Sequence, residues 1–295
     1  MRTWTWRSVI CVSALLAMLI GSSSVWGAQV SLFGATQSHQ TGVTTLVRID
    51  AATGQPTTVA DYPVNPDLIL GALTYHDPSG KFLLSAHSGS VEPQTPTLIV
   101  LDPVVGGSQQ IPITGLPAGQ EKILGLEYSA SRNQILMTFG ASEPFPVEDF
   151  VAEIDLAGVV LGMSANLGLL DRDWIAEDPS TGNLLLFDLN SENEHPRVAI
   201  VDDVFGAATV TPFANPPLDH QVRDPAISAT GEIFTVLRTE PNDLLRIEGD
   251  AYVTVGPIGL THTVQSLAFG VPEPSTLGLL TVACLAVGLR RRSRR

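Results

Sequence analysis

Cysteine is almost missing from this chain: only Cys11 and Cys284 occur in 295 residues, one near each end. Both fall in segments that read as removable, so the body between them has no disulfide and no thiol chemistry. Basic residues are scarce as well. Residues 29–271 carry nine Lys and Arg against 29 Asp and Glu, a formal charge of −20 compared with −14 for the whole chain. Such a balance excludes nucleic acid and anionic membranes as partners, because their phosphates would be repelled, and it leaves divalent cations as candidates. The chain contains no G-x-S-x-G, no Walker sequence, no H-E-x-x-H and no C-x-x-C, so no catalytic residue is assigned. All six histidines, His39, His76, His87, His195, His220 and His262, lie in the body, and no two stand at metal-ligand spacing on one element. Long helical periodicity is also lacking, whereas 21 prolines and 26 glycines provide for many turns. The body's 243 residues suffice for a large core without covalent staples.

The two ends carry targeting information. Arg2 and Arg7 precede an apolar run at 9–20, and small residues at 21–24 lead to Val25-Trp26-Gly27-Ala28, which predicts a signal peptide over 1–28 cut after Gly27 or Ala28. At the other end, Val271-Pro272-Glu273-Pro274 is followed by 15 uncharged residues at 275–289 and then by Arg290, Arg291, Arg292, Arg294 and Arg295. A hydrophobic helix over about 275–289 would reach roughly 22 Å, short of the roughly 30 Å hydrocarbon core, so it suits a transient membrane hold better than a permanent span. The arginines would stay on the cytoplasmic side. This tail closely resembles the PEP-CTERM sorting signal of Gram-negative bacteria, also called the ice-binding protein C-terminal domain. The resemblance implies export across the inner membrane by the secretion machinery and recognition by an exosortase-type membrane protease. Release to the cell surface or to an extracellular polymer matrix would follow. It implies no binding of ice. The organisation is therefore a signal peptide at 1–28, a body at 29–270 and a sorting tail at 271–295.

The body repeats. TLVRID (45–50), TLIVLD (97–102), FVAEID (150–155), RVAIVD (197–202) and DLLRIE (243–248) end in acidic residues 52, 53, 47 and 46 positions apart, a period that suits propeller blades. A second series in phase with the first pairs an apolar strand, a turn and another apolar strand at 70–86, 124–140, 174–189 and 225–239, which predicts hairpins. Asp50, Asp102, Asp155 and Asp202 precede turns, where an Asp side chain accepts backbone N–H groups, so they read as turn formers. Each unit holds an inner strand such as 70–76, a return strand such as 81–87, a third strand such as 97–102 and an outer strand such as 109–114. Four units fit between about 67 and 256. Residues 264–269 match an inner strand, while 30–35 and 45–50 match a return and a third strand. The predicted fold is all-β, a five-bladed β-propeller closed by N- and C-terminal strands, which removes open sheet edges at the seam. The repeat loosely resembles YVTN and quinoprotein-like surface propellers. A β-sandwich and a helical-repeat solenoid are the alternatives, in that order.

Segments entering the inner strands are rich in ionisable residues: Asp67; Glu121 and Lys122; Asp171, Arg172 and Asp173; Asp219, His220, Arg223 and Asp224; and His262. In a propeller all five sets approach one mouth of the central channel. Asp171, Asp173, His220, Asp224 and His262 are therefore the candidate ligands for a bound molecule or a hard cation such as Ca²⁺; no other cofactor is indicated. The alternative for such residues is exposed ion pairing. Phe145 and Phe213, in proline-rich loops, are expected to cap the apolar layer between blades, the alternative being stacking on sugar rings. The functional expectation is an exported, non-catalytic binding propeller for polysaccharide, protein or cation, exopolysaccharide being one candidate. The alternative is a metal-dependent enzyme of the lactonase or lyase type.

Overall fold

The computed structural model describes residues 30–38, 40–88, 95–117, 122–140, 150–165, 167, 174–187, 197–217, 222–237, 242–260 and 262–270. The signal peptide, the sorting residues Val271, Pro272, Glu273 and Pro274, and the hydrophobic tail helix lie outside these. So does Phe145. Among the described residues every regular element is a β-strand.

Twenty strands form five four-stranded antiparallel sheets. The first blade is β4 (Leu68–His76), β5 (Lys81–Ser88), β6 (Pro96–Asp102) and β7 (Gly107–Pro112). The second is β8 (Lys122–Ser129), β9 (Gln134–Gly140), β10 (Phe150–Ile154) and β11 (Val160–Met163). The third is β12 (Trp174–Glu177), β13 (Leu184–Phe187), β14 (Val198–Asp202) and β15 (Thr209–Ala214). The fourth is β16 (Val222–Ile227), β17 (Ile233–Leu237), β18 (Asp243–Glu248) and β19 (Ala251–Pro257). In the closing blade β20 (Val264–Gly270) supplies the inner strand, followed outward by β1 (Ser31–Ser38), β2 (Val43–Ile49) and β3 (Pro56–Pro63). The inner strands β4, β8, β12, β16 and β20 contact one another in that order, and β20 meets β4 to complete the ring. The fold is thus the five-bladed propeller with the one-plus-three closure that the repeat spacing predicts.

Closure is a full ladder: β1 pairs with β20 from Ser31↔Gly270 to Thr36↔Val264. Phe33 of the closing blade meets Phe82 of the first at a ring distance of 4.7 Å, and Phe269 meets Phe234 of the fourth at 5.8 Å. Aromatic contacts therefore seal both flanks of the seam.

Successive residues of the middle strands point to opposite sheet faces, and both faces are covered by neighbouring blades. Leu83 belongs to an apolar cluster that runs through the first to fourth blades, while its neighbour Leu84 belongs to the cluster shared with the closing blade; both are fully buried. Two-sided burial is why runs such as Phe82-Leu83-Leu84 and Leu98-Ile99-Val100-Leu101 do not alternate with polar residues. Among the described residues, the compact unit Ser31–Gly270 holds every strand and all four apolar clusters.

The turns follow their chemistry. Asp50 Oδ1 accepts from Ala52 N at 2.8 Å, Asp102 Oδ1 from Val104 N at 3.0 Å, and Asp155 Oδ1 from Ala157 N at 2.9 Å. In the third blade the role passes from Asp202 to Asp203, which takes a left-handed φ of 51° and accepts from Ala207 N at 3.1 Å. Phe213 departs from expectation: it stands on outer strand β15 and is 53% exposed, because the fourth strand of a blade has no sheet beyond it to pack against.

Four of the five inner strands, all but β12, carry bulges near their entry ends. Gly71 and Ala72 both oppose Ser85, whose hydroxyl accepts from Ala72 N at 2.8 Å. A Cβ on Gly71 would lie 2.5 Å from that oxygen, so glycine is required there. Thr235 takes the corresponding place in the fourth blade, but as a donor, to the carbonyl of Arg223. Ser85→Ala leaves a buried bulge N–H without its acceptor and is expected to lower the unfolding free energy by about 1–3 kcal/mol, measurable by urea titration.

Candidate functional site

The inner strands place three carboxyl side chains around the propeller axis. Glu127 and Glu177 lie near the ends of β8 and β12, and Asp224 lies in the bulge of β16 beside Pro225. Asp224 is 2% exposed and Glu177 5%, while Glu127 keeps a partly exposed flank.

Each carboxyl ties blades together. Asp224 Oδ2 accepts from Leu73 N on β4 at 3.1 Å, and the carboxyl also accepts from the backbone N–H of Leu267 on β20. Since β20 stands between β16 and β4 in the ring, the bond to Leu73 crosses the inside of that ring. Glu127 reaches both neighbours: Oε2 accepts from the Thr74 hydroxyl at 3.1 Å, and Oε1 from Glu177 N at 3.3 Å. The Thr74 hydroxyl in turn accepts from Tyr128 N at 2.9 Å. Glu177 clasps the β8–β9 turn of the second blade, accepting from Ala130 N at 2.7 Å, from Ser131 N at 3.3 Å and from the hydroxyls of Ser129 and Ser131. Arg132 Nη1 pairs with Glu177 at 3.3 Å and donates to the Gly182 carbonyl at 2.9 Å. That turn can present these donors because Asn133 accepts the left-handed φ of 54° that Gly80, Gly182 and Gly231 supply in the other blades.

Burial makes two of these acids, Glu127 and Asp224, hold protons. Burial pushes the Glu127 carboxyl up to about 8, against the bonds from Glu177 N and Thr74 and with the help of the nearby Glu177 charge. Burial likewise raises Asp224 well above the usual carboxylate range; the Leu73 and Leu267 amides oppose the rise and Glu127 adds to it. Desolvation of a carboxylate among apolar strands favours the neutral acid. The chemistry available here is proton holding and strand bracing, with every carboxyl committed to protein donors.

Of the residues singled out in the sequence, Asp224 is placed inside the ring and His262 is exposed just before β20. Asp67 is exposed just before β4. Asp171, Asp173 and His220 lie outside the described residues. Among the described residues no three His, Cys, Asp or Glu side chains form a group that could hold a metal ion. Glu127, Glu177 and Thr74 escaped the sequence reading, although the signal was there. An acid inside an apolar strand, as in Gly125-Leu126-Glu127-Tyr128 or Ile175-Ala176-Glu177, must find buried donors to remain.

Comparison with known proteins adds the following. Residues 270–295 match the family described as the PEP-CTERM protein-sorting motif, and the chain carries that motif. No curated protein matches the sequence. Among solved structures, a nidogen/laminin complex resembles this chain with a TM-score of 0.54 at 12% identity, over 83% of this chain and 100% of that one. TolB from Acinetobacter baumannii matches with a TM-score of 0.46 at 14% identity, over 82% of this chain and 67% of that one. The periplasmic gluconolactonase of Pseudomonas aeruginosa matches with a TM-score of 0.42 at 14% identity, over 80% and 68%. At the first of these scores and identities the likeness is one of fold.

Proposed function

We propose that this is an exported protein, sorted by an exosortase-type protease to the cell surface or extracellular matrix, whose propeller binds a ligand without transforming it. The observation that carries the sorting part is the match of 270–295 to the sorting motif, joined to a body of charge −20 without cysteine. The non-catalytic reading is supported by the use made of the axial acids. Glu127, Glu177 and Asp224 each accept hydrogen bonds from neighbouring blades, which supports a bracing role for them. A cation, if one is bound, would be held by the acidic entry segments with Asp171, Asp173 and His220.

Deletion of residues 272–295 tests the reading in a strain that makes the protein. The truncated chain is expected to lose its surface or matrix placement while its body still folds; unchanged placement of the truncated chain refutes the sorting proposal. A Ca²⁺ titration followed by melting temperature separates the ligand classes, since a cation ligand raises it and a purely polymeric one leaves it unchanged.

A further inference from the structure

The outermost strands of the blades are almost without charge. β3, β7, β11, β15 and β19 together hold 31 residues, of which only Asp61 is ionisable as an acid or base of full charge at pH 7. Asp61 is itself engaged by the Thr45 hydroxyl at 2.6 Å. Soluble proteins ordinarily guard such edges with lysine and other charges. Moreover, of the twelve exposed large apolar side chains among the described residues, all but Val30 and Ile69 stand on an outer strand or in the turn leading into it. The densest group is on the second blade, where Leu156, Val159, Leu161 and Met163 are 39%, 42%, 60% and 41% exposed. They lie in a run from 156 to 170 with no charged residue.

We propose that this β10–β11 hairpin is a self-association surface, docking on the same hairpin of a second copy about a two-fold axis. Charge selects the occupant. A foreign protein evolved to seize a body of charge −20 would meet acidic groups with basic ones, whereas two like-charged copies can approach at low cost only where charge is missing. The side chains are aliphatic, which suits an apolar protein contact better than the flat stacking that sugars require. The backbone allows close approach. β11 has a ladder partner on one side only; Thr114 of the first blade bridges its other edge from Gly158 to Val160, whereas an added Cβ at Gly162 would meet nothing within 4 Å. Two β11 edges can therefore close antiparallel at Gly162, with Leu161 and Met163 of each copy forming the apolar contact.

Sedimentation velocity of the body, residues 29–270, tests this. The dimer is expected to tighten about fivefold or more between 20 and 500 mM NaCl, as screening relieves repulsion between the anionic copies. Leu161→Thr with Met163→Thr, neutral changes at exposed sites, is expected to weaken it by about tenfold or more while leaving the melting temperature in place. Since the body has no cysteine, Gly162→Cys gives an independent readout: mild oxidation is expected to yield a disulfide-linked dimer. A body that stays monomeric at every salt concentration overturns the proposal, as does a dimer that ignores the threonine pair, that loosens with salt, or that gives no cross-link through the Gly162→Cys thiol.

Discussion

Raising the pH from 5 to 9 is expected to lower the stability of the propeller body steeply, because Glu127 and Asp224 are held protonated by the fold. In the unfolded chain Glu127 and Asp224 ionise near their ordinary values of 4.5 and 3.8, whereas in the folded body burial keeps the proton on Glu127 up to about 8 and on Asp224 well above the ordinary range. Between those limits the unfolded state binds fewer protons, so stability falls with rising pH by up to roughly 1.4 kcal/mol per unit for each acid. The partly exposed flank of Glu127 reduces its share. The fall due to Glu127 levels off once the pH passes its folded value. Turn carboxylates act in the opposite sense. Backbone bonds from Val105 and Val104, with Lys81, hold Asp102 below the usual range, so its stabilisation is present above about 4 and is lost as the pH drops through its folded value. Stability is therefore expected to peak in mildly acidic solution. Glu127→Gln is the decisive variant, since the amide can still accept from Glu177 N and can donate to the Thr74 hydroxyl. Thermal melts across pH 5–9 are expected to show a shallower alkaline fall for it than for the parent; superimposable profiles would show that Glu127 is ionised in the folded body.

Glu177→Ala is expected to cost about 3–5 kcal/mol in urea unfolding at pH 7, the largest effect of any single side chain at the axis. The substitution strands the amides of Ala130 and Ser131 and leaves Arg132 beside a void in the β8–β9 turn. Arg132→Met removes only one arm of the clasp, at a side chain 30% exposed, and is expected to cost about 1–2 kcal/mol. A loss for Glu177→Ala no larger than for Arg132→Met would show that the carboxylate's backbone bonds carry little of the clasp. Because the clasp joins the second and third blades, a loss confined to them would appear as a broadened transition with a reduced m value.

Much of this architecture was legible in the chain. Third strands ending in Asp or Glu at intervals of 46 to 53 residues announced the repeat, and the likeness of 264–269 to an inner strand announced the one-plus-three closure. These are local signals, set by turn chemistry and apolar runs. Strand ends moved by two or three residues, as when the first inner strand began at Leu68 instead of Leu70, because ladder pairing with Ser88 and His87 extends it. The axial carboxyls were another matter. Asp224 read as a candidate ligand at a channel mouth, and nothing in Val222-Arg223-Asp224-Pro225 says that Leu73, 151 residues earlier, donates to it. The exposure of Phe213 was hidden for a related reason: an outer strand and an inner one can share the same apolar pattern.

What the chain determined alone was its address and its ring. A Pro-Glu-Pro tail, two lone cysteines near the ends of the chain and a fivefold strand repeat are properties of neighbours in sequence, and they act through local conformation and composition. What only the tertiary structure decided was the fate of individual charges. Five inner strands had to converge before Glu127, Glu177 and Asp224 became braces between blades, and five blades had to close before the nearly uncharged fourth strands became a common perimeter. Burial and exposure depend on what lies opposite in space, and only the closed ring settles that.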